Sequence, residues 1–447
     1  MSKKLKLAFS GGGFRASFYA LGGYKRLVEC KLDQSVSSIS SVSGGSITAA
    51  AIMLALYKGG PFRNVNDFEA RVVNPLVKLG QIDLRTKLLT NSFTKQALSF
   101  KSLREKCSNA LPNLLDEYLC EGIQMKDLKN LPIDWYCNTT CLDTMRMFYF
   151  STNHMYGTYL GQTTDIDDIT VSYAVSTSAA FPVLFSPISL SLKGRLFNDP
   201  ENRMQGTPLL KFETIWFSDG GVFDNIGTEP LILPDDENKT NKYPPLAVHR
   251  KEPMKFIPKS KNEIYIVLDA SASEKVWKEN EKPSYFELNK RILDTSNSQI
   301  VVLRRKLLRN LNPEIYPGLQ LILSKPIQNL LNKNNNPFYT DQITLPDYQL
   351  PPRSTDKKDI EMLLAGLRTD LDGFHDSEIQ TLIRAGEIRM DIALRMLLPE
   401  YMKDMKGISI PIFPSEDLKH LKNILHKGGK HRFTGSFFQQ LHDIDKY

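Results

Sequence analysis

The stretch Lys4-Leu5-Lys6-Leu7-Ala8-Phe9-Ser10-Gly11-Gly12-Gly13-Phe14-Arg15-Ala16 decides the fold class. Residues 4–10 are a short apolar run of strand length, and three glycines end it. Over residues 14–30 apolar side chains (Phe18, Leu21, Leu27, Val28) then return at helical spacing. The order repeats at once: residues 36–42 suit a second strand, and residues 46–57 are almost continuously apolar, which predicts a helix buried on most sides. Strand, turn, helix, strand, helix argues for a mainly parallel sheet in an α/β/α sandwich.

Residues 64–130 read as more polar and helical, an insertion packed over one end of the sheet. Strand patterns return at 133–142 and 145–151, close enough for a hairpin, and again at 214–218 and 264–268. Residues 234–261 are rich in Pro, Asn and Lys, the composition of a surface excursion, and 325–356 are similarly rich in Pro and Asn. Asp376 or Ser377 can cap a late helix that runs to about Leu397.

Hydrophobic residues make up 41% of the 447 and charged residues 24%, which excludes wholesale disorder. A net charge of +7 favours anionic surfaces without choosing between nucleic acid and membrane. Of five cysteines only Cys137 and Cys141 are close, and the second pair that a zinc site needs is missing, so free thiols in a reducing cytoplasm are expected. The basic start has no apolar run of signal-peptide length behind it, and residues 47–57 fall short of the ~20 residues that span a bilayer. Membrane contact is therefore expected to be peripheral.

Three turns carry candidate chemistry. At residues 10–16 the glycines let the backbone approach a ligand, and the following helix adds its positive end. Such a turn suits a phosphate or an oxyanion. Gly11, Gly13 and Ala16 satisfy the dinucleotide pattern G-x-G-x-x-A, but the second strand ends in Ser40-Ser41-Val42-Ser43 with no carboxylate for a ribose, and Asp33 precedes that strand. The second turn, Ser41-Val42-Ser43-Gly44-Gly45, falls at the next strand-to-helix junction, where a nucleophilic serine needs a sharp turn with small neighbours. A serine there is also an ordinary helix cap. The usual elbow reads G-x-S-x-G and here begins with Ser41; a shifted frame would make Ser46 the candidate, inside the helix rather than at the junction. In the third, Trp216-Phe217-Ser218-Asp219-Gly220-Gly221, an apolar strand ends in an aspartate that can take a serine's proton if the two come within reach. Turn-making explains Asp-Gly equally well, and Asp224-Asn225 is a rival pair in the same loop.

In this order the three turns resemble the patatin-like phospholipases: a glycine turn with a following arginine, a serine elbow and a downstream Asp-Gly-Gly. Residues 172–187 (Ser-Tyr-Ala-Val-Ser-Thr-Ser-Ala-Ala-Phe-Pro-Val-Leu-Phe-Ser-Pro) look like a further segment of that family, and the late helix is weakly similar to its closing helix. The resemblance implies a Ser43–Asp219 dyad without histidine, an oxyanion hole from Gly11, Gly12 and Gly13, and an Arg15 that either holds the loop or meets a lipid phosphate. It implies no metal or organic cofactor, an acyl-lipid substrate and no nucleic acid. It also implies a catalytic domain over residues 1–320, with 321–447 as an extension partly packed on it. The alternatives are a nucleotide-binding α/β protein and a catalytically silent scaffold.

Two features stand outside this reading. A Ser–Asp–His triad would draw its histidine from His249 or His375, which follow the acid. Residues 419–432 hold five Lys/Arg, three histidines and no acid; with Leu421, Ile424 and Leu425 they form either a solvated surface helix or an amphipathic one lying on an anionic bilayer.

Overall fold

The computed structural model describes residues 3–87, 110–182, 185–197, 212–232, 262–271, 285–310, 317–405 (apart from 333, 335, 341–342, 344, 347 and 349–359) and 418–430. Its strands are β1 (Lys4–Phe9), β2 (Val36–Val42), β3 (Asp134–Cys141), β4 (Arg146–Ser151), β5 (Met155–Gly157), β6 (Gly161–Thr163), β7 (Ile188–Ser191), β8 (Thr214–Asp219), β9 (Glu263–Asp269) and β10 (Gly318–Ile322). All belong to one sheet. Five strands, in the order β10-β9-β1-β2-β3, run parallel. The sheet continues antiparallel through β4, β5 and β6, while β8 pairs with the far end of β3 and β7 with β8.

β1 is central, and Leu5, Leu7, Ala8 and Phe9 have no exposed surface, as a strand covered on both faces requires. Helices α1 (Gly13–Glu29) and α2 (Gly44–Gly59) follow β1 and β2 directly. Outside the insertion, further helices are α3 (Val171–Ala179), α4 (Tyr285–Arg309), α5 (Ile360–Ala365), α6 (Asp376–Leu397) and α7 (Leu418–Lys430). α6 lies on α1: Gly22 meets the Ile383 carbonyl and Gly386 that of Tyr19, contacts that only a residue without a side chain allows. Asp391 of α6 is fully buried yet receives Arg26 at 2.7 Å, Arg395 at 2.9 Å and the Tyr348 hydroxyl at 2.6 Å, so its charge is compensated from three sides. Late residues thus share the core of the N-terminal helices.

Four expectations need correction or addition. The late helix is capped by the His375 side chain, which accepts from the Ser377 N–H, with Glu378 closing a capping box; neither Asp376 nor Ser377 is the cap. The apolar face of α7 does not lie open to a bilayer, since Leu421 and Leu425 are fully buried in the main core. Residues 325–356 are no mere surface loop where described, because Ile327, Asn336 and Tyr348 are buried. The insertion is helical without a break from Val65 to Gly80, with a π-helical turn at Glu69–Val73, and again in shorter pieces up to Leu128; residues 88–109 lie outside the described residues, as does the predicted excursion at 234–261. Among the described residues no helix is long and apolar enough to cross a membrane.

Candidate active site

The serine turn is built from β2 downward. Ser43 follows the strand directly and has φ 52° and ψ −121°, a conformation that costs a non-glycine residue roughly 1–3 kcal/mol and persists only where its surroundings impose it. Its N–H donates to Ser178 Oγ at 2.9 Å, and its carbonyl accepts the Ser46 N–H at 2.8 Å. Gly44 is pressed against the Gly13 carbonyl, and Ser17 Oγ of α1 donates to the Gly44 carbonyl at 2.6 Å. The serine and glycine turns are therefore in direct contact. A Gly44→Ala variant would drive its Cβ into the Gly13 backbone; we expect it to lose both thermal stability and any activity of the site, measured by a melting curve beside an ester-hydrolysis assay.

Ser41, which stands where an elbow glycine is usual, is wholly buried and accepts from Trp135 Nε1–H at 2.9 Å and from Ser46 Oγ–H at 2.9 Å. Ser46 has no exposed surface, and its hydroxyl is bonded to both Ser41 and Ser178. The shifted frame is thereby excluded by geometry: Ser46 faces the core.

Asp219 ends β8, opposite Thr139 of β3, and is 3% exposed. Its Oδ1 accepts the Gly221 N–H at 2.7 Å, and the Ser43 hydroxyl is the side chain that acts on the carboxylate to lower its pKa. Burial pushes its pKa up to about 6, against the lowering effects of Ser43 and of the Gly221 N–H. At neutral pH the group is ionised and can accept a proton.

A stability signature accompanies that shift. The folded pKa lies above the ordinary 3.8, so the folded state holds this proton more tightly than the unfolded chain. Asp219 therefore penalises folding increasingly as pH rises from about 4 through about 6, by on the order of 3 kcal/mol once ionised. Asp219→Asn is expected to be more stable than wild type at pH 8, with the advantage shrinking towards pH 4. Denaturant midpoints at both values check this.

The rival pair has other work. Asp224 accepts the N–H groups of Ile226, Thr228 and Glu229 and pairs with Arg304 at 3.2 Å, which shapes the loop after Asp219. The Asn225 carbonyl accepts the Gly11 N–H at 2.8 Å. Gly11 is thus not an oxyanion donor, contrary to expectation, because its N–H is already bonded. The Phe14 N–H is also taken, by the Asp370 carbonyl at 3.0 Å, and the Asp370 carboxylate is held by Arg85 at 2.5 Å. Among the described residues, the Gly12 and Gly13 N–H groups are left without a hydrogen-bond partner at the mouth of α1.

Arg15 is 1% exposed and donates to the carbonyls of Leu367 (2.8 Å), Ala365 (3.1 Å) and Ala270 (2.6 Å). Of its two expected roles, contact with a lipid phosphate is ruled out by this burial. It ties the glycine turn to the chain after β9 and to the C-terminal end of α5 and the residues just beyond it. Of the two triad histidines, His375 is engaged elsewhere as the exposed cap of α6, and His249 lies outside the described residues. The described hydrogen-bond donor to the Asp219 carboxylate is the Gly221 N–H.

Two residues at the site carry no sequence signal of their role, Ser178 and Asp370. Ser178 is one serine among several in the segment 172–187. Asp370 holds the Phe14 N–H through its backbone carbonyl, as Asn225 of the rival pair holds that of Gly11, and a carbonyl leaves no mark on residue type.

A mainly parallel α/β sheet with a strained serine turn, an abutting glycine turn and a buried Asp-Gly-Gly defines a patatin-type domain. The chain belongs to the patatin-like phospholipase family, which it matches over residues 7–232. Among solved structures it is similar to human GIVD cytosolic phospholipase A2, at 9% identity and a TM-score of 0.43, covering 96% of this chain and 61% of that one. It is also similar to VipD from Legionella pneumophila, at 13% identity and a TM-score of 0.26, covering 97% and 92%. The chain thus spans about three-fifths of the length of the phospholipase chain. No curated protein matches it in sequence.

Proposed function

We propose that the protein is a lipid acyl hydrolase of the phospholipase A or lysophospholipase type, working through a Ser43–Asp219 dyad at a membrane surface. The observation that carries this reading is the geometry of the turns: a strained, core-held Ser43 abuts the glycine turn and is tied through Ser178 to the turn of the buried Asp219, whose pKa the Ser43 hydroxyl lowers. Ser43 Oγ attacks the ester carbonyl carbon while Asp219 takes its proton. The Gly12 and Gly13 N–H groups receive the oxyanion, where one donor is commonly worth about 3 kcal/mol. The tetrahedral intermediate collapses, the alcohol leaves with the proton from Asp219, and an acyl-Ser43 ester remains. Water, deprotonated by Asp219, then releases the fatty acid and restores the serine. The expected boundary at 320 falls inside β10, so we assign the catalytic domain of residues 1–320 through the end of that strand and the remainder of 321–447 to an extension that completes it, since Arg15 and Phe14 are both bonded to carbonyls of residues 365–370.

The deciding assay is fatty-acid release from mixed phospholipid vesicles. Release above the spontaneous rate supports the reading, and its absence, together with thermal stabilisation by a nucleotide, would support the dinucleotide reading of the glycine turn instead.

A further inference from the structure

We propose that Ser178 is a positioning residue that sets the separation between the Ser43 hydroxyl and the Asp219 carboxylate. This rests on the dyad reading above and adds a third residue to it.

Ser178 lies in the last turn of α3 and has no exposed surface. Its main chain holds the carboxylate turn: its carbonyl accepts the Gly220 N–H at 3.0 Å. Two residues on, the Ala180 carbonyl accepts the Asp219 N–H at 2.9 Å and the Ser218 hydroxyl at 3.2 Å. Its side chain holds the serine turn, since Ser178 Oγ accepts the Ser43 N–H at 2.9 Å. One residue therefore grips both turns, the base through its backbone and the nucleophile through its hydroxyl.

The direction of the hydroxyl is also determined. Ser46 Oγ has one proton, and it goes to Ser41 Oγ. The 2.9 Å contact between Ser178 and Ser46 must then use the Ser178 proton. That leaves the Ser178 lone pairs aimed at the Ser43 N–H. The chain Ser178–Ser46–Ser41 is anchored by Trp135 Nε1–H on Ser41 Oγ. A backbone strained at φ 52° needs such a hold, because without it the Ser43 N–H is a buried donor with no acceptor and the turn can relax away from Asp219.

Substitution at Ser178 separates the two grips, since alanine keeps every backbone bond and removes only the hydroxyl. In vesicle hydrolysis we expect Ser178→Ala to lower kcat by about 10- to 100-fold with KM nearly unchanged, the loss typical of a misplaced reacting group. We also expect the acid limb of kcat/KM to move to higher pH, because the Ser43 hydroxyl lowers the Asp219 pKa and would do so less once the serine turn relaxes. Ser178→Cys, which retains a weak acceptor, should lie between the two. A kcat loss that merely follows the folded fraction, with the acid limb unmoved, would reduce Ser178 to a packing role and overturn the proposal. So would unchanged kcat and an unchanged limb. If wild type releases no fatty acid, or Ser43→Ala equals wild type, it is the dyad reading that fails, and this inference with it.

Discussion

Ser43→Ala is expected to reduce acyl-ester hydrolysis by on the order of 10⁴-fold or more, with little change in thermal stability. The loss is large because no neighbouring hydroxyl can substitute. Ser46 is three residues away in sequence, but it faces the core and its hydrogen bonds are filled by Ser41 and Ser178. The stability effect is small because the φ 52° turn is held by groups that alanine leaves in place: the Ser43 N–H on Ser178 and the fit of Gly44 against Gly13. Ser46→Ala gives the opposite pattern. It breaks a buried hydroxyl chain and costs about 1–3 kcal/mol of stability, and because it also frees the Ser178 hydroxyl it slows the reaction in part, without removing a reacting group. Parallel melting curves and initial rates distinguish the two serines.

Asp219→Asn is expected to cost on the order of 10⁴-fold, as when the acid that supports a catalytic proton transfer becomes an amide. Asparagine can still meet the Gly221 N–H and the Ser43 hydroxyl but cannot take the proton. The pH profile carries the sharper statement. With Asp219 at about 6, wild-type kcat/KM should rise with pH through about 6 and level off above it, since the protonated carboxyl is no base. In the asparagine variant the residual rate should show no such limb. A limb near 7 that survives in Asp219→Asn and vanishes on replacing a histidine would instead indicate a triad.

The helices and strands that place the dyad were legible because each is a buried element ended by glycine or by a small polar residue. β2 runs over the residues its pattern indicated, and β1, β3, β4, β8 and β9 differ from theirs by one or two positions. β5 and β6 were missed because three residues carry no periodicity, and β7 because four hardly do. α4 was missed although it has 25 residues; its apolar positions are spread among many polar and charged ones, and several of them are exposed.

At the site, Ser43 and Asp219 were visible because each ends a strand and is followed by two glycines. Ser178 was not, because its contact with Ser43 spans 135 positions and uses a side chain that serines show everywhere. Arg15 left two roles open for a physical reason: adjacency to a glycine turn suits an anion as well as loop support, and only the folded chain brings three backbone carbonyls to its guanidinium. The stripe on α7 was open in the same way. Periodicity reveals that Leu421 and Leu425 share a face, and only packing reveals that the core covers it.

The central claim, that Ser43 is a nucleophile activated by Asp219, is tested most directly by a serine-directed phosphonylating probe with the modified peptide identified by mass spectrometry. The adduct should form on Ser43 at a rate that rises with pH through about 6, should be absent in Ser43→Ala, and should form far more slowly in Asp219→Asn. An adduct on another serine, or labelling of Ser43 that is equally fast without the Asp219 carboxylate, would contradict it.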